Sequence, residues 1–231
     1  MIHSIFKTIL PAFYPELCLL CRTEHRLRDE EFCLSCLLEL PYTDHFVNPE
    51  NGFMRHFWGR VSVEMGAALI DFQKGNEIRQ LIHRFKYQKE IEIGHKLGEI
   101  TGRKYLDSLY FGDADLIIPV PTTLLKRWKR GFNQAEIFAK GIAAVTQLPL
   151  DVHILKKIKN TKTQTKKNRV ERLADVMDTF QVDNPNAVND KHILLVDDIL
   201  TTGATLEACI HAFKGCPGVK ISLLTIGMAK G

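Results

Sequence analysis

One stretch of the chain, residues 193–205, constrains the fold more than any other. It begins with the apolar run Ile-Leu-Leu-Val, which is typical of a parallel strand covered on both faces of its sheet. Two carboxylates, Asp197 and Asp198, follow at the end of this predicted strand, and a turn then leads into a helix predicted over 206–214. Because open α/β sheets bind ligands at the carboxyl ends of their strands, the two carboxylates are candidate ligand-binding groups.

The turn after the two carboxylates has the composition of an anion-binding loop. Hydroxyl side chains and a glycine before a helix leave backbone N–H groups exposed to an anion, and the helix dipole adds attraction. The loop consists of Leu200, Thr201, Thr202, Gly203, Ala204 and Thr205. Carboxylates do not hold phosphate, so the acid pair is expected to face sugar hydroxyls or a metal. Together the two features predict a ribose 5-phosphate site; the alternative is an ordinary buried strand before a capped helix.

The remaining hydrophobic pattern predicts the fold class. Strands are predicted near 61–72, 115–120, 150–158, 178–182, 193–196 and 220–226, and helices near 77–87, 91–109, 133–146 and 206–214. Their alternation favours an α/β domain with a doubly wound, mainly parallel sheet. A chain of 231 residues can hold such a domain and a small extra module. We therefore expect an N-terminal module over 1–45, a connector over 46–60 and the α/β domain over 61–231.

Four of the six cysteines form two CxxC pairs, Cys18 with Cys21 and Cys33 with Cys36. This spacing is typical of a tetrahedral four-thiolate zinc site, which has no open coordination position and would serve folding or docking. The other two cysteines are expected to be buried thiols. The first 13 residues predict a helix that packs on the protein body and make a poor signal peptide, so we expect a reducing, cytoplasmic location. No apolar run reaches the about 18–20 residues needed to span a membrane.

The net charge is only +4, but the basic residues are concentrated in two segments. The first, 126–131, is expected to be a loop before a helix, where Arg130 and backbone N–H groups around Asn133 are candidates to hold pyrophosphate. Trp128 among its cations also suits stacking on a nucleic-acid base. The second, 156–172, has eight Lys or Arg residues and one Glu. It is interpreted as a loop that closes over a polyanion, a nucleic-acid-binding strip, or a solvated charged face.

Taken together, these features resemble the ComF family of bacterial proteins. Members combine an N-terminal four-cysteine zinc finger with a type I phosphoribosyltransferase domain, and several are tied to natural competence for DNA uptake. The resemblance rests on the CxxC pairs, on Phe85-Lys86-Tyr87, on residues 130–136, on Gln164, Arg169 and Arg172, and on residues 197–205. The chain departs from the family in lacking a glycine soon after Tyr87 and in having Lys167 and Asp175 in place of leucine and asparagine.

The resemblance implies 5-phosphoribosyl 1-pyrophosphate (PRPP) with Mg²⁺ as the donor of a phosphoribosyl group. Asp197 and Asp198 would then meet the ribose 2- and 3-hydroxyls, and residues 200–205 would enclose the 5-phosphate. The pyrophosphate would contact Arg130, Asn133, Lys166 and Arg169. The acceptor is not implied. The alternative function is a non-catalytic module that binds a nucleotide or single-stranded DNA and works with DNA-import proteins.

Overall fold

The computed structural model describes residues 17–23, 31–72, 76–158 and 179–229. The predicted N-terminal helix over 1–13 lies outside the described residues. So does most of the second basic segment, including Lys166 and Arg169.

A four-stranded parallel sheet forms the centre of the described structure. Its strands are β1 (Gly66–Asp71), β2 (Leu116–Pro119), β5 (His192–Leu200) and β6 (Lys220–Met228), in the order β1-β6-β5-β2. A separate antiparallel pair consists of β3 (Leu155–Lys157) and β4 (Phe180–Val182). The four apolar residues 193–196 of β5 are fully buried, as expected for a parallel strand covered on both faces.

Helices cover both faces of this sheet. They are α1 (Leu34–Glu39), α2 (Gly52–Arg55), α3 (Asn76–Tyr87), α4 (Ile91–Leu106), α5 (Leu124–Arg130), α6 (Gln134–Thr146) and α7 (Ala204–Ala212). Phe85, Leu97 and Phe138 bring α3, α4 and α6 into one core cluster with one face of the sheet. Phe53, Leu206 and Phe180 bring α2, α7 and β4 into a second cluster on the other face. The predicted doubly wound, mainly parallel α/β fold is confirmed.

Several predicted boundaries were wrong. The strand predicted over 193–196 continues to Leu200, because its pairing with β6 extends to Met228. The strand predicted over 150–158 is reduced to β3, because Asp151 Oδ1 accepts hydrogen bonds from the backbone N–H groups of His153 and Ile154 and forms a turn. The expected basic loop over 126–131 is instead mostly the end of α5. The strand predicted over 61–72 begins only at residue 66, and the helix predicted over 91–109 ends at 106.

The predicted connector packs into the core. Phe46, Phe53 and Phe57 are all buried, and the Asn51 side chain donates a hydrogen bond of 3.0 Å to the carbonyl of Gly66 in β1. The three-part division of the chain stays a prediction, but aromatic side chains from residues 46–60 belong to the hydrophobic core around the sheet. None of the described helices combines the length and the apolar character needed to cross a membrane.

Candidate functional site

A cleft of about 500 Å³ opens beside the carboxyl ends of β2 and β5. Of the predicted site residues, its wall contains Arg130, Asn133, Asp197, Asp198, Thr201 and Thr205. The other four residues of the predicted anion loop, Leu200, Thr202, Gly203 and Ala204, are absent from the cleft wall, and Leu200 is buried. The fold therefore brings the acid pair, part of the hydroxyl-rich loop and the first basic segment to one cavity.

The acid pair is held by short contacts that leave few oxygens for a ligand. Asp197 Oδ1 accepts from the backbone N–H of Asp198 at 2.8 Å, and Asp198 Oδ1 accepts from the N–H of Ile199 at 2.7 Å. Asp198 Oδ2 lies 2.5 Å from Nζ of Lys86 on α3. Burial and the neighbouring Asp198 charge raise the pKa of Asp197 to about 7, against the lowering effect of Lys86 and Lys157.

The loop between β5 and α7 is supported by residues of the predicted connector. Gly203 adopts a φ of +79°, and a Cβ atom there would lie 3.2 Å from the Phe57 ring. Arg60 donates a hydrogen bond of 3.3 Å to the carbonyl of Thr202 and forms an ion pair with Glu207 in the first turn of α7. The loop conformation thus depends on side chains from a distant part of the chain.

The opposite wall of the cleft is formed where α5 ends and α6 begins. Gly131, between the helices, has a φ of +86°, and Asn133 donates from Nδ2 to the carbonyl of Val120 at 3.0 Å. Arg130 donates to Gln134 Oε1 at 2.9 Å, and its guanidinium lies 5.3 Å from the centre of the Tyr87 ring. Gln134 Nε2 is buried with no acceptor in the described part of the chain. The Asn133 amide is therefore engaged in fixing the helix start, while the Arg130 guanidinium faces the cleft.

Sequence reasoning missed three contributors to this site. Lys86 was noted only in a motif, because a cation in the last turn of a helix is explained equally well by the helix dipole. Arg60 lies at the end of the predicted connector and belongs to no recognisable motif. Gln134 lies in the segment 130–136, but its residue type alone predicts no function. The only sequence signal for Lys86 and Gln134 was their membership in the segments that resemble the ComF family.

The four cysteines of the CxxC pairs form a second candidate site. Their sulfur atoms lie within 4.8 Å of one another, and Cys21 and Cys33 Sγ are 3.8 Å apart. Zn–S bonds of about 2.3 Å in a tetrahedron require about 3.8 Å between sulfurs. Cys18 Sγ also accepts from the backbone N–H groups of Leu20 and Cys33, at 3.4 and 3.3 Å. The donor set and its geometry fit a tetrahedral metal ion.

The thiol groups of this cluster differ in acidity. Hydrogen bonds from Thr23 lower the pKa of Cys21 to about 6. Burial, together with the neighbouring cysteines, raises the pKa of Cys36. All four thiols are free of disulfide bonds. A bound cation would favour the ionised form of every thiol, so such a cluster can bind a metal with release of protons.

Charged contacts dock the cysteine module on the α/β domain. Arg22 pairs with Glu90 at 2.6 Å, and Lys96 on α4 pairs with Glu31 at 2.9 Å. Arg84 on α3 donates to the carbonyl of Leu19, within the first CxxC pair. Because Arg84 lies two residues before Lys86, one helix contacts both the cysteine cluster and the cleft.

Comparison with known proteins agrees with this architecture. The family model for the phosphoribosyl transferase domain matches residues 129–226, which include Arg130, Asn133 and the cleft residues from Asp197 to Thr205. Competence protein F of Haemophilus influenzae is 26% identical over 204 residues, covering 84% of this chain and 89% of that protein. The chain is a homologue of the ComF-type competence proteins.

Two further relatives match a smaller share of the chain. Competence protein ComFC of Bacillus subtilis is 29% identical over 130 residues, which is 56% of this chain and 50% of ComFC. DNA utilization protein YhgH of Escherichia coli is 27% identical over 131 residues, which is 54% of this chain and 56% of YhgH. The chain thus spans about half the length of these two relatives and most of the length of competence protein F.

Proposed function

We propose that the cleft binds PRPP with Mg²⁺ and that the protein transfers its phosphoribosyl group to an acceptor. The observation that carries the proposal is the common cavity containing Asp197, Asp198, Thr201, Thr205 and Arg130. In it, carboxylate acceptors suit a ribose diol, and the start of α7 suits the 5-phosphate. The match to the phosphoribosyl transferase domain and the similarity to competence protein F support this choice of donor.

The chemistry follows from the charges around the cleft. Transfer breaks the bond between ribose C1 and the pyrophosphate oxygen and forms a bond from C1 to the acceptor nucleophile, while pyrophosphate leaves. Positive charge grows on the ribose near Asp197 and Asp198, and negative charge grows on the pyrophosphate near Arg130. Lys166 and Arg169, outside the described residues, stay predicted pyrophosphate contacts. Mg²⁺ bound to PRPP oxygens would neutralise part of the pyrophosphate charge.

Calorimetric titration of Mg-PRPP tests the proposal directly. The wild-type protein is compared with the double variant Asp197→Asn/Asp198→Asn and with the control Asp107→Asn/Asp113→Asn, which removes two exposed carboxylates outside the cleft wall. We expect saturable binding to the wild type and the control and none to the cleft variant. An absence of binding by folded wild-type protein with its cysteine site loaded would refute the proposal.

We also propose that the cysteine cluster binds zinc as a structural ion. Cys18, Cys21, Cys33 and Cys36 supply four thiolates, a donor set that prefers Zn²⁺ and leaves no position for a substrate. Because a reducing compartment keeps such cysteines available to a metal ion, we also propose the cytoplasmic location expected from the sequence.

A second candidate function, binding of single-stranded DNA, is favoured by one surface. Trp128 on α5 is 83% exposed between the exposed cations Arg127 and Lys129, and Tyr87 is 60% exposed beside Arg130. Aromatic rings interleaved with cations suit stacked bases and their phosphates. The name of one relative, DNA utilization protein YhgH, also concerns DNA.

Fluorescence anisotropy with a labelled oligothymidylate tests this second function. Binding through these cations should weaken steeply as salt rises, and Trp128→Ala should reduce it. Trp58→Ala is a matched control, because Trp58 is 56% exposed and absent from the cleft wall. Equal losses in the two variants, or no binding at low salt, would contradict the proposal.

A further inference from the structure

The ion pair between Lys86 and Asp198 has no role in the function proposed so far. Lys86 Nζ lies 2.5 Å from Asp198 Oδ2, and the two side chains are only 17% and 19% exposed. Both residues belong to the cleft wall. The pair is therefore a sheltered ion pair within the cavity rather than a surface salt bridge, and separating its charges without replacement would be costly.

Each oxygen of the Asp198 carboxylate already has one contact within the protein. Asp198 Oδ1 accepts from the N–H of Ile199, and Oδ2 faces Lys86. A ribose hydroxyl that donates to Oδ2 from the side of α3 therefore competes with the Lys86 ammonium for this oxygen. The displaced ammonium remains inside a cavity that, on the proposed function, now contains the phosphate groups of PRPP.

We infer that Lys86 is an exchangeable counter-ion: it holds the Asp198 carboxylate in place in the empty cleft and transfers to a phosphate oxygen of PRPP when the ribose hydroxyls engage Asp198. The inference rests on the proposed function. Such an exchange keeps every charge paired before and after binding, which avoids the desolvation cost of an isolated ion. Lys86 is thus a positioning residue for the acid pair and a phosphate-binding residue in the complex.

Because of the charges around the acid pair, Lys86 should affect how the affinity for PRPP depends on pH. The acid pair is faced by Lys86 from α3, by Lys157 from β3 and by the Cys209 thiol from α7, with Arg79, His83 and Arg130 also on the cleft wall. Lys86 contacts Asp198 directly. Removal of its charge should favour uptake of a proton by the pair, which then loses acceptor capacity for hydroxyl groups.

Titration of Mg-PRPP from pH 6 to pH 9 tests the exchange, using Lys86→Met, Lys86→Arg and a control. Lys140→Met is the control, because Lys140 pairs with Glu136 on the outside of α6. We expect Lys86→Met to lower PRPP affinity about tenfold or more at pH 7, with partial recovery at higher pH. Lys86→Arg should retain most of the affinity, and Lys140→Met should bind like the wild type.

Other outcomes of this titration would overturn either the exchange alone or the proposed function as well. Equal loss of affinity by Lys86→Met at every pH, or no loss, would overturn the exchange while leaving PRPP binding intact. Absence of PRPP binding by the wild type would overturn the proposed function, and the exchange with it. A double-mutant cycle of Lys86→Met and Asp198→Asn on thermal stability, without PRPP, checks the ion pair itself, and additive effects there would contradict it.

Discussion

At the scale of single residues, Asp197 lies in an environment that opposes its ionisation. Burial and the charge of the adjacent Asp198 carboxylate both raise the pKa of Asp197. Lys86 and Lys157 reduce this cost without removing it. The folded protein therefore holds a proton on the pair at pH values where an unfolded aspartate is ionised.

Asp197→Asn should stabilise the protein in a pH-dependent way. The folded-state pKa of Asp197 is about 7, well above the ordinary value of 3.8, so the wild type loses stability as pH rises from about 4 to 7 while an amide does not. The variant's gain in free energy of unfolding should be close to zero at pH 4 and reach at most about 4 kcal/mol above pH 7. Urea denaturation across this range measures it; a gain that is the same at all pH values would contradict the assignment.

At the scale of elements, the conformation of the predicted anion loop, residues 200–205, depends on a glycine that packs against the predicted connector. Gly203 has a φ of +79°, where L side chains are strained, and its Cα faces the buried Phe57 ring. Arg60 fixes the same loop through the Thr202 carbonyl. The conformation of the loop after β5 therefore depends on contacts with Phe57 and Arg60, which lie about 140 residues earlier in the chain.

Gly203→Ala should cost about 1–2 kcal/mol of stability and weaken Mg-PRPP binding, because the methyl group both strains the backbone and contacts Phe57. Gly215→Ala is the matched control, since a Cβ at Gly215 would have no neighbour within 4 Å. Denaturant unfolding and calorimetry report the two effects. If both variants behave alike, the loop does not require the left-handed conformation.

The contact between α4 and α6 depends on two more glycines. A Cβ atom at Gly141 would clash with the carbonyl oxygen of His95, and one at Gly98 would clash with that of Phe138. Alanine normally stabilises a helix interior relative to glycine. We nevertheless expect Gly141→Ala to destabilise the protein by about 1–3 kcal/mol, since the helices must move apart. A gain in stability on denaturant unfolding would show that the helices are not in backbone contact.

At the scale of the whole molecule, the cysteine module and the α/β domain are joined through α3 and α4. Lys96 reaches Glu31, and Arg84 reaches the Leu19 carbonyl beside the first CxxC pair. Since α3 also carries Lys86, one helix contacts both the cysteine cluster and the cleft. On the proposed zinc binding, the ion would therefore support a helix of the cleft as well as its own loops.

Loss of the metal should therefore lower the stability of the whole protein. Cys33→Ser should reduce the zinc content from about one ion per chain to near zero and lower the Tm by several degrees, because binding energy of the ion contributes to folding. Cys216→Ala, which changes a buried thiol outside the cluster, should retain the metal. Elemental analysis and thermal unfolding measure both; full zinc content in Cys33→Ser would contradict the assigned ligands.

The features that the sequence determined by itself are all local. The apolar run of β5, the acid pair after it, the glycine-containing turn and the CxxC pairs each lie within a few residues, so their spacing alone indicates what they form. The boundaries were less accurate where a side chain intervened: Asp151 ends a run that looks like a strand, and α5 forms where basic residues suggested a loop.

Only the tertiary structure decided which distant residues complete the site. Lys86 meets Asp198 because α3 packs over the sheet through Phe85, and Arg60 meets Thr202 because Phe57 anchors the supposed connector in the core. These partners are more than a hundred residues apart in the chain, and nothing in the local pattern of either one indicates the other. Burial of apolar surface determines which helix covers which strand, and this packing places the charges opposite one another.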